Sequence, residues 1–203
     1  RYPDTGGRGA FFDARCSPWN PLNANQAHGL YVYGTLPLFM ARGAAEAFAA
    51  GTEWYAATVL GNPDYEGQHW TSYDGIHLVW RAISALCEMS AIVLVFAIGR
   101  KLHDKWIGLL AAVLYAGTVF SIQMAHFATV DSISNFFTTL AIFYGVCVQR
   151  HGKIRDYALF GVMVGATVAS RINLAPLAGL IVIAAAIQLA PVFDAKTSSA
   201  ERS

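Results

Sequence analysis

Between residues 76 and 193 the chain repeats one pattern, an apolar run followed by a short polar interruption. The runs fall at about 76–98, 106–125, 129–148, 157–170 and 172–193. A helix needs about 20 apolar residues to cross the hydrocarbon layer, so the fourth run is short. It is predicted to be either a tilted half-span or one arm of a pair broken around the "SRIN" of 170–173. Backbone amides in lipid must bond within their own segment, so the pattern predicts an all-α integral membrane protein built as a multi-span helical bundle. Composition agrees, with 13% charged residues against roughly 25% in soluble domains. The net charge of +1 excludes nucleic acid as a partner on bulk electrostatics, and membrane lipid is the expected surrounding.

The first 75 residues have a different texture. Residues 1–35 are rich in Pro, Gly and Asn, which punctuate turns. The stretch "LPLFMARGAAEAFAA" at 36–50 places Leu36, Phe39, Met40, Ala47 and Phe48 on one helical face, with Arg42 and Glu46 on the other. It is too short and too charged to span, so an interfacial helix is expected. The loop at 51–75 carries Trp54, Tyr55, Tyr65, Trp70 and Tyr73, residue types that anchor at headgroup level. Cys16, Cys87 and Cys147 form neither a metal-ligand spacing nor a disulfide framework.

Orientation is read from the loops. "GRKLHDK" at 99–105 and "QRHGKIRD" at 149–156 are short and basic, which places both in the cytoplasm. Residues 1–75, the turn around 126–131 and the turn at 170–173 then fall outside the cell membrane. The tail at 194–203 falls inside.

Three groups of polar residues interrupt the apolar runs. His77, Arg81, Ser84 and Glu88 are spaced i, i+4, i+7, i+11, and Asp131, Asn135 and Thr138 are spaced i, i+4, i+7. Each set is one stripe on one helix face. Arg171 and Asn173 lie between the last two runs. Ionisable groups in spans face the bundle interior or a wet cavity. Arg81 and Glu88 either neutralise each other or pair with neighbouring helices. Asp131 either caps its helix or serves an active or ligand site. Arg171 either reaches lipid phosphate or binds a phosphate-bearing substrate, for which its planar fork is suited. With His126 these groups gather at one membrane surface, which suits chemistry on a lipid-linked substrate. A channel would need polar lining through the full depth, and a transporter is disfavoured by the lack of an internal repeat.

The segments "SPWNP", "YVYGTLPLF", "YDGIHLVWRAISAL", "FAIGRKLHDKWIGLLAAVLYAGTVFSIQMAHFATVD" and "ASRINLAPL", in that order, resemble bacterial membrane glycosyltransferases of the GT-C fold. The nearest resemblance is to protein O-mannosyltransferase and aminoarabinose transferase-like enzymes, which use polyprenyl-phosphate sugars. It implies a bundle with a large first external loop bearing short interfacial helices. It implies a cavity role for Asp131 in "HFATVD", with Asn135 nearby. It implies a donor-phosphate role for Arg171, standing where the family has lysine, together with Asn173 and His126. Tyr33 and Pro37 would shape the cavity floor. The implied reaction is an inverting transfer to an acceptor hydroxyl, with a carboxylate as base. Cationic groups or a divalent metal would stabilise the departing phosphate.

The family's acid, usually Asp followed by Glu, lies in the first external loop after a first span. Asp131 and Asp4 in "YPDT" are the catalytic candidates here, yet Asp4 has no acidic neighbour. The chain opens Arg1-Tyr2-Pro3 and reads as processed or as a piece of something longer, with the catalytic acid expected upstream of Arg1. The alternative expectation is a non-catalytic accessory subunit that keeps the fold and docks protein partners in a larger membrane complex.

Overall fold

A computed structural model of the chain describes residues 34–189; Asp4, Cys16, Tyr33 and the tail at 194–203 lie outside them. Every regular element among the described residues is helical. The order is α1 (Leu36–Thr58), a 3-10 turn (Gly67–Thr71), α2 (Tyr73–Leu102), α3 (Lys105–Ala116), α4 (Val119–His126), α5 (Val130–His151) and α6 (Ile154–Ser170). Last comes α7 (Ile172–Leu189), which opens as a 3-10 helix over Ile172–Gly179.

Three of these helices, α2, α5 and α7, are long and apolar enough to cross a membrane. The span expected over 106–125 corresponds to two helices, α3 and α4, which together are long and apolar enough to cross but are bent by 59° at their junction. The cause is local. Thr118 leaves the helical region with ψ 120, and its hydroxyl turns back onto the Leu114 carbonyl at 3.1 Å. The short fourth segment is α6, 17 residues long. It joins α7 through Arg171, whose backbone is extended at φ −155 and ψ 107. Tyr157, near the start of α6, donates to Gln188, near the end of α7, at 3.3 Å. The two helices are therefore an antiparallel hairpin rather than two halves of one span. Leu177 and Ile181 of α7 close over the buried Ala141, Phe160 and Val164.

The helix expected over 36–50 runs on to Thr58, because its buried stripe of Ala41, Ala45 and Ala49 continues to Ala56. Pro37 starts that stripe at a first-turn position, where its missing N–H costs nothing. The 3-10 turn packs back on α1: Gly67 N–H donates to Glu53 at 2.8 Å, and Trp70 meets Phe48 edge-on.

Contacts between α2 and α5 fix which loops share an end. Trp80 reaches Thr129, Glu88 reaches Asn135, and Lys101 lies over Phe143, so the two helices run parallel with the returning α3–α4 pair beside them. The basic loops at 99–105 and 149–156 therefore occupy one end of the bundle. The turns at 126–131 and 170–173 occupy the other.

The α2–α3 hairpin depends on two small residues. A Cβ on Gly99 would come within 2.7 Å of the Gly108 Cα, and a Cβ on Gly108 within 2.6 Å of the Phe96 carbonyl. Helices in lipid gain little from the hydrophobic effect between them and associate by such close backbone packing. Gly108→Leu is expected to lower stability by about 1–3 kcal/mol through overpacking, read as a drop in the thermal midpoint in detergent. Gly161→Ala, at a site with nothing within 4 Å, should leave that midpoint unchanged or slightly raised.

Candidate active site at the Asp131 end of the bundle

Asp131 sits in the first turn of α5, where the positive end of the helix dipole favours a carboxylate. The N-cap itself is Thr129, not Asp131. The Asp131 carboxylate faces Arg171 and forms an ion pair with its guanidinium across 40 residues of sequence. Both side chains are part-buried, 27% and 30% exposed. The extended backbone at Arg171 interrupts the α6–α7 helical run and points its side chain back over the start of α5.

The junction ahead of α1 seats against the same break. Gly34 N–H donates to the Ser170 carbonyl at 2.8 Å, and a Cβ at residue 34 would overlap the Ala169 carbonyl. Pro37 is fully buried. The "GTLP" junction, Ser170, Arg171 and Asp131 thus meet at one end of the bundle. Asn173 is exposed two residues beyond Arg171, in the 3-10 opening of α7.

The turn that carries His126 is held by α2. Arg81 Nε donates to the His126 carbonyl at 2.8 Å, and Trp80 Nε1 to the Thr129 carbonyl at 3.4 Å. The last carbonyls of α4 have no partner in their own helix, and Arg81 satisfies one of them. The His126 imidazole is exposed with Nδ1 2.7 Å from the Ile122 carbonyl. A carbonyl can only accept, so Nδ1 carries the hydrogen of the neutral ring. His77 stacks edge-on against Tyr73.

Deeper in the bundle a second polar group forms. Glu88, 5% exposed, accepts from Tyr115 Oη at 2.8 Å and from Asn135 Nδ2 at 3.4 Å. Asn135 also donates to Tyr115 Oη. Arg81 and Glu88 thus do not pair with each other; each finds its partner on another element. Asn135 shares its helix face with Asp131 but belongs to this inner cluster. Tyr115 belongs to none of the polar stripes, although a phenol in the middle of "LLAAVLYAG" is a signal, since a buried Tyr hydroxyl needs a partner. Among the described residues no three of His, Cys, Asp and Glu gather to share a cation. The positive charge placed beside Asp131 is the Arg171 guanidinium.

Residues 76–196, more than half of the chain, match the family model described as dolichyl-phosphate-mannose-protein mannosyltransferase. The match covers α2 to α7 and so includes Asp131 and Arg171. Comparison with curated proteins and with solved structures finds no match.

The inner cluster gives a direct test of its own energetics. Removing one donor from a buried carboxylate costs about 1–3 kcal/mol. Tyr115→Phe should lower the unfolding free energy by that amount in an otherwise unaltered chain. In a Glu88→Met background the same substitution should cost little, so a double-mutant cycle by chemical or thermal unfolding should return a coupling of at least about 1 kcal/mol.

Proposed function

The chain belongs to the dolichyl-phosphate-mannose-protein mannosyltransferase family, and from that premise we propose that it works in sugar transfer from a polyprenyl-phosphate carrier to an acceptor at the outer face of the cell membrane. It is a membrane glycosyltransferase-like protein. The observation that carries the proposal is the convergence of Arg171, Asp131 and the α1 junction at one end of an apolar bundle. The basic loops at the opposite end support a cytoplasmic side for that end. In this reading the site faces outward, on a multi-pass bundle of the GT-C type.

In this reading Arg171 meets the donor phosphate. Its planar fork matches phosphate oxygens, and Asp131 holds the guanidinium in place until the donor enters. Asn173 and His126, both exposed, are the further candidates for contact with that headgroup. The acceptor oxygen attacks the anomeric carbon from the face opposite the phosphate. The bond from that carbon to the phosphate oxygen breaks, and the electron pair leaves with the polyprenyl phosphate, whose charge Arg171 stabilises. A carboxylate outside the described residues, with Asp4 as the candidate in this sequence, takes the acceptor proton. Pro37, at the start of α1, supports the floor beneath the sugar.

A second reading draws on the same ion pair. Asp131 and Arg171 satisfy each other, as a clasp between α5 and the α6–α7 hairpin would, and a clasp suits an accessory subunit without catalysis.

Transfer of radiolabelled sugar from a polyprenyl-phosphate donor, assayed with the full-length protein in membranes, separates the two. Loss of one charge-stabilising donor costs roughly 100-fold or more in turnover. Arg171→Ala is expected to show that loss with the protein still folded, Arg171→Lys to keep more activity, and Asp131→Asn to fall between them. Undetectable transfer by the unmutated full-length protein, with all three variants folded, would establish the accessory reading.

A further inference from the structure

The end of the bundle opposite Asp131 carries a feature that sugar transfer does not use. α5 is 22 residues long, which separates its two ends by roughly 33 Å, so this feature is remote from the Asp131–Arg171 pair. Between α5 and α7 runs an open apolar groove walled by Ile142, Val146, Ile183 and Ile187, with Gln149 at its basic end. The next residues of α5 are Arg150 and His151, both exposed, followed by exposed Lys153.

Among the described residues the charge around this mouth is one-sided. Of the two acids in the adjoining loops, Asp104 is consumed by capping α3, accepting from Trp106 N and Ile107 N at 2.8 and 2.9 Å. Asp156 is buried in the first turn of α6. Lys101 and Arg100 lie over the rings of Phe143 and Phe96. Arg150, Lys153 and Arg155 are thus left exposed at the end of the bundle where the groove finishes at Gln149. Trp106 is 68% exposed at the same end with Lys105 against its ring, an arrangement suited to headgroup depth.

We propose that this end is a binding site for an anionic phospholipid, its phosphate headgroup held by Arg150 and Lys153 and one acyl chain lying in the α5–α7 groove. Cations at the rim alone would attract any anionic surface. An apolar groove alone would take any lipid tail. Their continuity, through Gln149 at the junction, selects a molecule with both parts. The site is independent of the transfer reaction and stands whether or not the chain is catalytic.

The test is native mass spectrometry of the full-length protein released from mixed phosphatidylcholine and phosphatidylglycerol micelles. The unmutated protein should retain phosphatidylglycerol preferentially. Arg150→Gln with Lys153→Gln should lower that retention roughly thirtyfold, as expected for two juxtamembrane cations. Ile183→Trp, at an exposed groove wall, should lower it as well by filling the groove, with the fold intact. Arg42→Gln, on α1, should change nothing. Equal retention of the two lipids overturns the proposal. So does a preference that survives Ile183→Trp, or one that Arg42→Gln reduces as much as the double variant, because charge alone would then account for it. A photoreactive group at residue 183 that captures the chain's own C-terminal residues or a second copy, and no lipid, overturns it too.

Discussion

A polar group inside a lipid-embedded bundle has no water to fall back on, so each one must be met by another part of the protein. That requirement sets how these helices meet. Several polar contacts join different elements inside the bundle: Arg81 to the end of α4, Trp80 to the turn before α5, and Tyr115 and Asn135 to Glu88. The buried apolar residues between them are mostly small, with alanine recurring at 91, 112 and 141. Such a core brings backbones close but distinguishes poorly between one register and the next. The polar contacts supply the register, since a slip by one residue would turn Glu88 away from both of its donors.

Much of this was legible in the sequence. Apolar runs announce helices in lipid whatever their neighbours do, so α2, α5 and α7 fall close to the stretches expected at 76–98, 129–148 and 172–193. The polar stripe on α2 was visible from its spacing. The partners of that stripe were not, because spacing along one helix says nothing about which helix lies opposite. Arg81 and Glu88 looked like candidates for each other, yet one ends on a backbone carbonyl and the other on a phenol. Backbone acceptors leave no trace in composition. The bend at Thr118 was hidden for a related reason: the run on both sides is equally apolar, and hydropathy does not register where an axis changes direction. At the α6–α7 break the interruption itself was legible, whereas its folding into a hairpin depends on Tyr157 meeting Gln188 across 31 residues.

The candidate site shows the same division. Asp131 and Arg171 each stood out as charges in apolar surroundings, and the loop charges implied that they share a side. That they touch is a property of the hairpin, which returns Arg171 to the start of α5. The seating of Gly34 on Ser170 adds a third strand of chain to the same place. A site assembled from three separated segments responds as a unit, because moving the hairpin shifts the arginine relative to the acid and also removes the seat of the α1 junction. The inner cluster around Glu88 lies one helical turn further along α5, so the polar character of the Asp131 end continues into the bundle while its apolar walls stay intact.

The sequence distance between Asp131 and Arg171 also imposes an order in time. During synthesis the carboxylate emerges 40 residues before its guanidinium, an interval of roughly 2–8 s at ordinary elongation rates. Throughout that interval α5 carries an uncompensated acid, held at the membrane surface by the field at its own N-terminus. Release of α6 and α7 from the insertion machinery then delivers the arginine and closes the pair. The hairpin is in this sense a latch, and the Asp131 end of the bundle takes its final form only after both basic loops of the opposite end have been made.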